Sequence, residues 1–139
     1  MEHLTIVLGT LENGKLWKGH FGDAEFLVKY KIFPNGSYEF VERIKNSAKN
    51  EDEKHLNHGN LEKRRKVENL IQNCDCIAAC VMSPNFKKMA EDSTIQQIVV
   101  KGCSNLEDFI KKIADNYDLI NKKVINRKNG IRDINIPVL

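Results

Sequence analysis

Hydrophobic and polar residues alternate along the first third of the chain in the manner of β-strands. The apolar run at residues 4–8 ends at Gly9 and predicts a buried strand. From residue 26 to residue 32, alternate positions are apolar or aromatic, which is strand spacing. The sequence Pro-Asn-Gly-Ser at residues 34–37 is a turn signal, so residues 38–44 are predicted to return as the second strand of a hairpin.

Strands and helices alternate in the second half of the chain. The continuous apolar run at residues 76–82 predicts a strand buried on both faces, and residues 97–100 predict the next strand. Ser83 followed by Pro84 predicts the start of a helix, with the serine as N-cap. Residues 104–107 have capping-box spacing, with Ser104 at the cap, and begin an amphipathic helix that extends to residue 117.

This order of elements predicts an α/β domain with a mixed five-stranded sheet and about three helices. Strands joined through helices favour parallel pairing by right-handed crossovers, whereas the hairpin supplies antiparallel pairing. We place this domain at residues 1–117 and assign residues 118–139 to a C-terminal extension. Ile134, Ile136 and Val138 alternate there, so the extension contains a candidate docking strand. It would pair with this chain or with a partner, including a second copy in a homodimer.

Composition narrows the classes of protein to which the chain can belong. A length of 139 residues and a net charge of +3 indicate one domain without the basic stripe of a nucleic-acid-binding protein. No apolar run approaches the roughly 20 residues that a membrane span needs. The first residues do not resemble a signal peptide, so we expect a cytoplasmic protein. Its four cysteines are then expected to be thiols or metal ligands rather than disulfides.

Three of the cysteines are too far apart along the chain to share one metal easily. If residues 76–82 form a strand, the α-carbons of Cys76 and Cys80 lie about 13 Å apart. A single zinc ion holds its sulfur ligands at about 2.3 Å. We therefore interpret Cys74 and Cys76 as core residues, since free cysteine is among the most buried residue types.

Cys80 and Cys103 lie where two neighbouring parallel strands are predicted to end. Open α/β sheets bind ligands at that edge, and the helix that begins after Ser83 would present backbone N–H groups there. Two interpretations stay open at this point: the thiols share a ligand site, or both are simply buried.

Histidine supplies the other candidate ligands. His20 follows Gly19 and precedes Gly22 by two residues, and flanking glycines allow close approach between backbone and ligand. His55 and His58 lie in a polar segment without periodicity, where they either close over a site or are solvated. The sequence contains no serine-hydrolase elbow or P-loop, and its predicted core strands carry no carboxylate pair for nuclease chemistry.

Three segments resemble the dinitrogenase iron–molybdenum cofactor biosynthesis family, to which NifX, NafY and the end of NifB belong. Residues 19–24, with Phe26 after them, resemble its segment HFG-x-A-x-x-F, although the aromatic residue comes one position early. Residues 70–79 are similar to its helix end and DCDxV strand. Residues 95–100 and the acidic-capped helix after them resemble its last strand and helix. The resemblance covers residues 4–116, and His55 falls in a loop where relatives often carry histidine.

The resemblance implies a ribonuclease-H-like fold without nuclease chemistry. It also implies a non-enzymatic role in binding or carrying an iron–sulfur or iron–molybdenum type cofactor or its precursor. The resemblance strengthens His20 as a ligand candidate, and His20 joins Cys80, Cys103, His55 and His58 as the candidate metal ligands. The partners it implies are proteins that donate or accept the cluster.

Two departures from the family pattern support an alternative function. Relatives usually carry a glycine-rich turn after the DCDxV strand, but this chain has Cys-Val-Met-Ser-Pro-Asn at residues 80–85. The extension at residues 118–139 also has no counterpart in the family pattern. The alternative is a protein-interaction or small-anion-binding module that has kept the fold and lost the metal.

Overall fold

A computed structural model describes residues 2–46 and 69–139 of the chain. Its central feature is a five-stranded sheet with strand order β3-β2-β1-β4-β5. The strands are β1 (Leu4–Thr10), β2 (Phe26–Ile32), β3 (Tyr38–Lys45), β4 (Cys76–Ala79) and β5 (Gln96–Val99). β2 runs antiparallel to both of its neighbours, whereas β1, β4 and β5 are parallel. This arrangement confirms the predicted mixed-sheet α/β fold.

Helices connect and follow the parallel strands, as crossover connections require. Within the described residues they are α1 (Pro84–Asp92), α2 (Leu106–Asp115) and α3 (Tyr117–Lys128), with a short 3₁₀ turn at Phe21–Asp23. Residues 69–72 are also helical and lead into β4. Ser83 caps α1 as predicted, because its hydroxyl accepts a hydrogen bond from the backbone N–H of Phe86 at 3.2 Å.

Two hydrophobic clusters cover the two faces of the sheet. Alternate residues of β1 belong to different clusters, Ile6 and Leu8 to one and Val7 to the other. We call the cluster that contains Ile6 and Leu8 the α2 face, because Phe109 and Ile113 of α2 pack on it. We call the other the α1 face, because Phe86 of α1 packs there.

Two predicted boundaries near the end of the sheet were wrong. β4 ends at Ala79 rather than Met82, and the backbone N–H of Val100 makes the last bond of that ladder to the carbonyl of Ala79 at 2.9 Å. The cap of α2 is Asn105 rather than Ser104, because the Asn105 side chain accepts a hydrogen bond from the N–H of Asp108 at 2.8 Å. A shift of one residue places the asparagine at the position that best caps the helix.

The segment after residue 117 begins with a helix that the sequence did not predict. Its buried residues are Tyr117, Ile120, Val124 and Arg127, so α3 contributes to the core of the α2 face. The chain then crosses the edge of β5, where Val138 forms a parallel bridge with Val99. Backbone hydrogen bonds of 2.8–3.0 Å join residues 137–139 to Val99 and Lys101.

Candidate functional site

His20 lies at the start of the short 3₁₀ turn between β1 and β2, and its side chain is exposed. The next residue, Phe21, is only 8% exposed and packs on the α1 face. Its ring centroid lies 6.0 Å from that of Phe86 in α1. Phe21 therefore anchors the turn in the core, while the imidazole beside it stays accessible.

Two side chains that the sequence analysis overlooked hold this turn in place. The indole N–H of Trp17 donates to the carbonyl of His20 at 2.6 Å. The buried side-chain amide of Asn46 donates to the carbonyls of Gly22 and Ala24 at 3.0 and 2.9 Å. The Asn46 contacts are tertiary and had no sequence signal, whereas Trp17 contacts a residue only three positions away. The available signals for Trp17 were that it is the single tryptophan and lies two residues before Gly19.

The two glycines of the turn have different surroundings. A Cβ atom added at Gly19 would lie 2.5 Å from the Trp17 indole, so the close approach there is to a side chain of the same chain. A Cβ atom added at Gly22 would meet nothing within 4 Å. Of the two positions, only Gly22 leaves open space beside the backbone for a ligand.

His20, Gly22 and Ser83 line one cavity of about 390 Å³ between the turn and α1. Its floor is apolar and is formed by side chains of the α1 face, namely Leu27, Ile71, Ile77, Phe86 and Met89. The polar groups at its mouth include the imidazole of His20 and the carboxylate of Asp23. A bulky group can therefore bind in the cavity with the His20 imidazole as its nitrogen ligand and with apolar side chains around part of its surface.

The N-terminus of α1 supplies fewer anion-binding groups than its position suggests. Pro84 has no N–H, and the N–H of Phe86 is taken by the Ser83 hydroxyl. The N–H of Lys87 is bonded to the Ser83 carbonyl at 3.2 Å. Asn85 lines the cavity, and its backbone N–H is the one first-turn donor of this helix that stays available to a ligand.

Cys74 and Cys76 are buried, as predicted, and their thiols are poorly disposed to ionise. Burial raises the pKa of Cys74 to about 12, with a further contribution from the charge of Asp75. Cys76 is 1% exposed, and burial raises its thiol pKa well above the ordinary range. Because the thiolate is the form that ligates metals, both residues are structural.

Cys80 and Cys103 do not line the cavity that contains His20. Both are half-buried and pack against the α2 face, on the other side of the sheet. Burial raises the pKa of the Cys80 thiol, the charge of Cys103 raises it further, and Lys18 and Lys101 lower it. The structure therefore places the two thiols on the same face of the sheet, which is not the face that carries the cavity beside His20.

No three histidine, cysteine or acidic side chains cluster as a metal-binding group within residues 2–46 and 69–139. His55 and His58, which were predicted as further ligands, lie outside the described residues. Among the described residues that line the cavity, His20 is thus the one whose side-chain nitrogen can coordinate a metal.

Comparison with known proteins agrees with the sequence motifs. The family described as dinitrogenase iron-molybdenum cofactor matches residues 4–116, which is most of the chain. No curated protein gives a significant match. In the described part of the chain, the helices are too short or too polar to cross a membrane. With fold, motifs and family match in agreement, the chain belongs to the dinitrogenase iron-molybdenum cofactor family.

Proposed function

We propose that this protein binds and carries an iron–sulfur or iron–molybdenum type cofactor, or a precursor of one, without catalysing a reaction. The observation that carries the proposal is the exposed imidazole of His20 on a braced turn at the mouth of the 390 Å³ cavity. The cluster is cargo, which a donor protein delivers and an acceptor protein removes.

The residues present fit a cargo held by one protein ligand. Neutral imidazole coordinates iron through a ring nitrogen. The open backbone at Gly22 lets a large inorganic group approach, and the amide of Asn85 can donate to a cluster sulfide. Because the rest of the described cavity lining is mainly apolar, few bonds need to break when the cargo leaves. A resident catalytic cofactor would be expected to have more ligands than this.

The rival function, an interaction or small-anion-binding module without metal, has weaker support at this cavity. Among the first-turn backbone N–H groups of α1, only that of Asn85 stays available, which is few for a site that would hold an anion by hydrogen bonds alone. A homodimer through the extension would need residues 137–139 to pair with a second copy. In this structure they pair with β5 of the same chain instead. Light scattering of the full chain tests whether a second copy joins through that segment.

Anaerobic reconstitution with iron and sulfide tests the cargo proposal. We expect the wild-type protein to take up iron with a sulfide-to-iron charge-transfer absorption, and His20→Ala to lose most of it. His3→Ala is the matched control, because His3 precedes β1 at the opposite end of that strand from the cavity. Equal iron content in wild type and His20→Ala would refute His20 as the ligand.

A further inference from the structure

A second cavity lies between the loop that follows β1 and the start of α2. Its volume is about 780 Å³, twice that of the cavity beside His20. Its described lining residues fall within the ranges 11–19 and 104–107, and two of them, Leu16 and Leu106, pack on the α2 face. The cavity therefore adjoins the loops that follow the parallel strands β1 and β5, at the edge where open α/β sheets bind ligands.

The inner part of this lining is apolar. It is formed by side chains that are buried or half-buried, namely Leu11, Leu16, Trp17 and Leu106. Cavities of several hundred Å³ with a mainly apolar lining and a few polar groups are typical of small-molecule sites. A ligand with an apolar body would bind here because contact with these side chains removes apolar surface from water.

The outer part of the lining carries net positive charge. Lys15 and Lys18 are exposed, and within the described part of the chain neither ammonium group belongs to an ion pair. Among the described lining residues Glu107 is the only carboxylate, so two lysines against one glutamate leave a charge of +1. Ser104 adds an exposed hydroxyl that can donate a hydrogen bond. The cavity therefore has an apolar floor below a cationic mouth.

Charge and polarity together select the class of ligand. Two ammonium groups without ion-pair partners repel a cation, and a small inorganic anion would leave the apolar floor in contact with water. An organic anion with an apolar body satisfies both parts of the lining. We propose that this cavity binds a small amphipathic organic anion, whose charged group lies near Lys15 and Lys18 and whose apolar body lies against the floor. The site does not include His20 and is independent of the proposed carriage of a cluster.

Fluorescence titration with anilinonaphthalene sulfonate tests the site, because this probe joins an anionic group to an apolar body and emits strongly once it leaves water. Phenylnaphthylamine has the same body without the sulfonate and is the matched neutral probe. The double variant Lys15→Met/Lys18→Met should bind the sulfonate about tenfold more weakly than wild type, since each exposed ion pair contributes modestly, and should bind the neutral probe equally well. Unchanged sulfonate affinity in this variant, or no binding by the wild type, would overturn the proposal.

The control variant Lys111→Met/Lys122→Met removes the same charge at exposed positions outside the described lining and should bind both probes as wild type does. An equal loss of sulfonate binding in this control would overturn the proposal, because net charge alone would then explain the effect. Near-ultraviolet circular dichroism checks that each variant is folded, since the probe also binds partly unfolded chains.

Iron uptake separates this site from the cavity beside His20. His20→Ala should lose iron and keep sulfonate binding, whereas the lysine double variant should keep iron and lose sulfonate binding. Loss of sulfonate binding in His20→Ala would place the probe in the cavity beside His20 and overturn the proposal. Failure of either site therefore leaves the other standing.

Discussion

The indole N–H of Trp17 donates a hydrogen bond of 2.6 Å to the main-chain carbonyl of His20. The same carbonyl accepts from the N–H of Asp23 at 3.0 Å, so the backbone of His20 is fixed from two directions. The main-chain carbonyl of Trp17 in turn lies 3.7 Å from the thiol of Cys80. Trp17 thus lies between the His20 turn and Cys80, and the position of the imidazole depends on where the Trp17 indole packs.

Trp17→Phe tests this role, because phenylalanine keeps an aromatic ring but removes the indole N–H. The lost hydrogen bond should lower the free energy of unfolding by about 1 kcal/mol, and the freed turn should reduce iron uptake in the reconstitution assay. Urea unfolding followed by circular dichroism measures the first effect, and iron content measures the second. Tyr38→Phe is the matched control, since it removes a polar group, the hydroxyl, from an aromatic side chain on β3. Iron uptake at the wild-type level in Trp17→Phe would contradict the positioning role.

Gly19 and Gly22 make a matched pair, because alanine should lower mainly the stability at Gly19 and mainly the iron uptake at Gly22. Gly19→Ala places a methyl group 2.5 Å from the indole of Trp17, and such overpacking typically costs about 1–3 kcal/mol. Gly22→Ala meets no atom within 4 Å, so its unfolding free energy should stay within about 0.5 kcal/mol of wild type. Its methyl group enters the space beside the cavity, however, and should reduce iron uptake. Chemical unfolding and iron analysis of both variants separate the two cases, and a larger stability loss in Gly22→Ala would show the assignment to be reversed.

Arg127 is a charged residue that is only 1% exposed, and its side chain joins the C-terminal extension to the sheet. Its guanidinium donates to the side chain of Gln96 at 2.8 Å and to the carbonyls of Ala90, Ser93 and Asp133 at 2.7–3.2 Å. Arg127→Met would leave several buried acceptors unpaired, and we expect a loss of about 3 kcal/mol in unfolding free energy. Lys122→Met, on the exposed side of α3, is the control and should change stability little. Equal stability of the two variants would show that the extension is held mainly by its apolar contacts.

Local signals were sufficient for most of the fold. The turn at residues 34–37 and the pair Ser83–Pro84 depend on backbone preferences of a few adjacent residues, and both were predicted correctly. α3 was missed because the fourth position of its buried stripe, after Tyr117, Ile120 and Val124, is Arg127. A charged residue at a core position hides the helical period, and only the acceptors that surround it in the folded chain explain its burial.

The candidate site was harder to predict because its geometry depends on the end of one strand. β4 stops at Ala79, and Cys80 then packs on the α2 face, whereas His20 opens onto the α1 face. Sequence alone placed both near one edge of the sheet but could not specify the face. The roles of Trp17 and Asn46 were also invisible, since each bonds to backbone carbonyls that any residue carries.

Asp75 gives the fold a specific dependence on pH. Burial opposes its ionisation, but hydrogen bonds from Lys128 at 2.8 Å and from the backbone and hydroxyl of Thr5 at 2.8 and 3.1 Å outweigh this effect and hold the pKa of Asp75 below its usual value. A lowered pKa in the folded state means that the unfolded chain binds the proton more readily. The stabilisation is therefore fully present above the unfolded value of about 3.9 and is lost as the pH falls below it through the folded value.

We expect Asp75→Asn to lower the free energy of unfolding at pH 6 by on the order of 1 kcal/mol, because charge-assisted hydrogen bonds are lost. Between about pH 5 and pH 3, the wild type should lose stability more steeply than the variant, so that their difference shrinks. Urea unfolding across this range measures both slopes. Glu91→Gln, at an exposed position of α1, is the control and should keep the wild-type slope. Lys128→Met should keep most of it, since Lys128 is 60% exposed and the bonds from Thr5 remain. Parallel curves for wild type and Asp75→Asn would show that the carboxylate contributes nothing to the acid sensitivity of the fold.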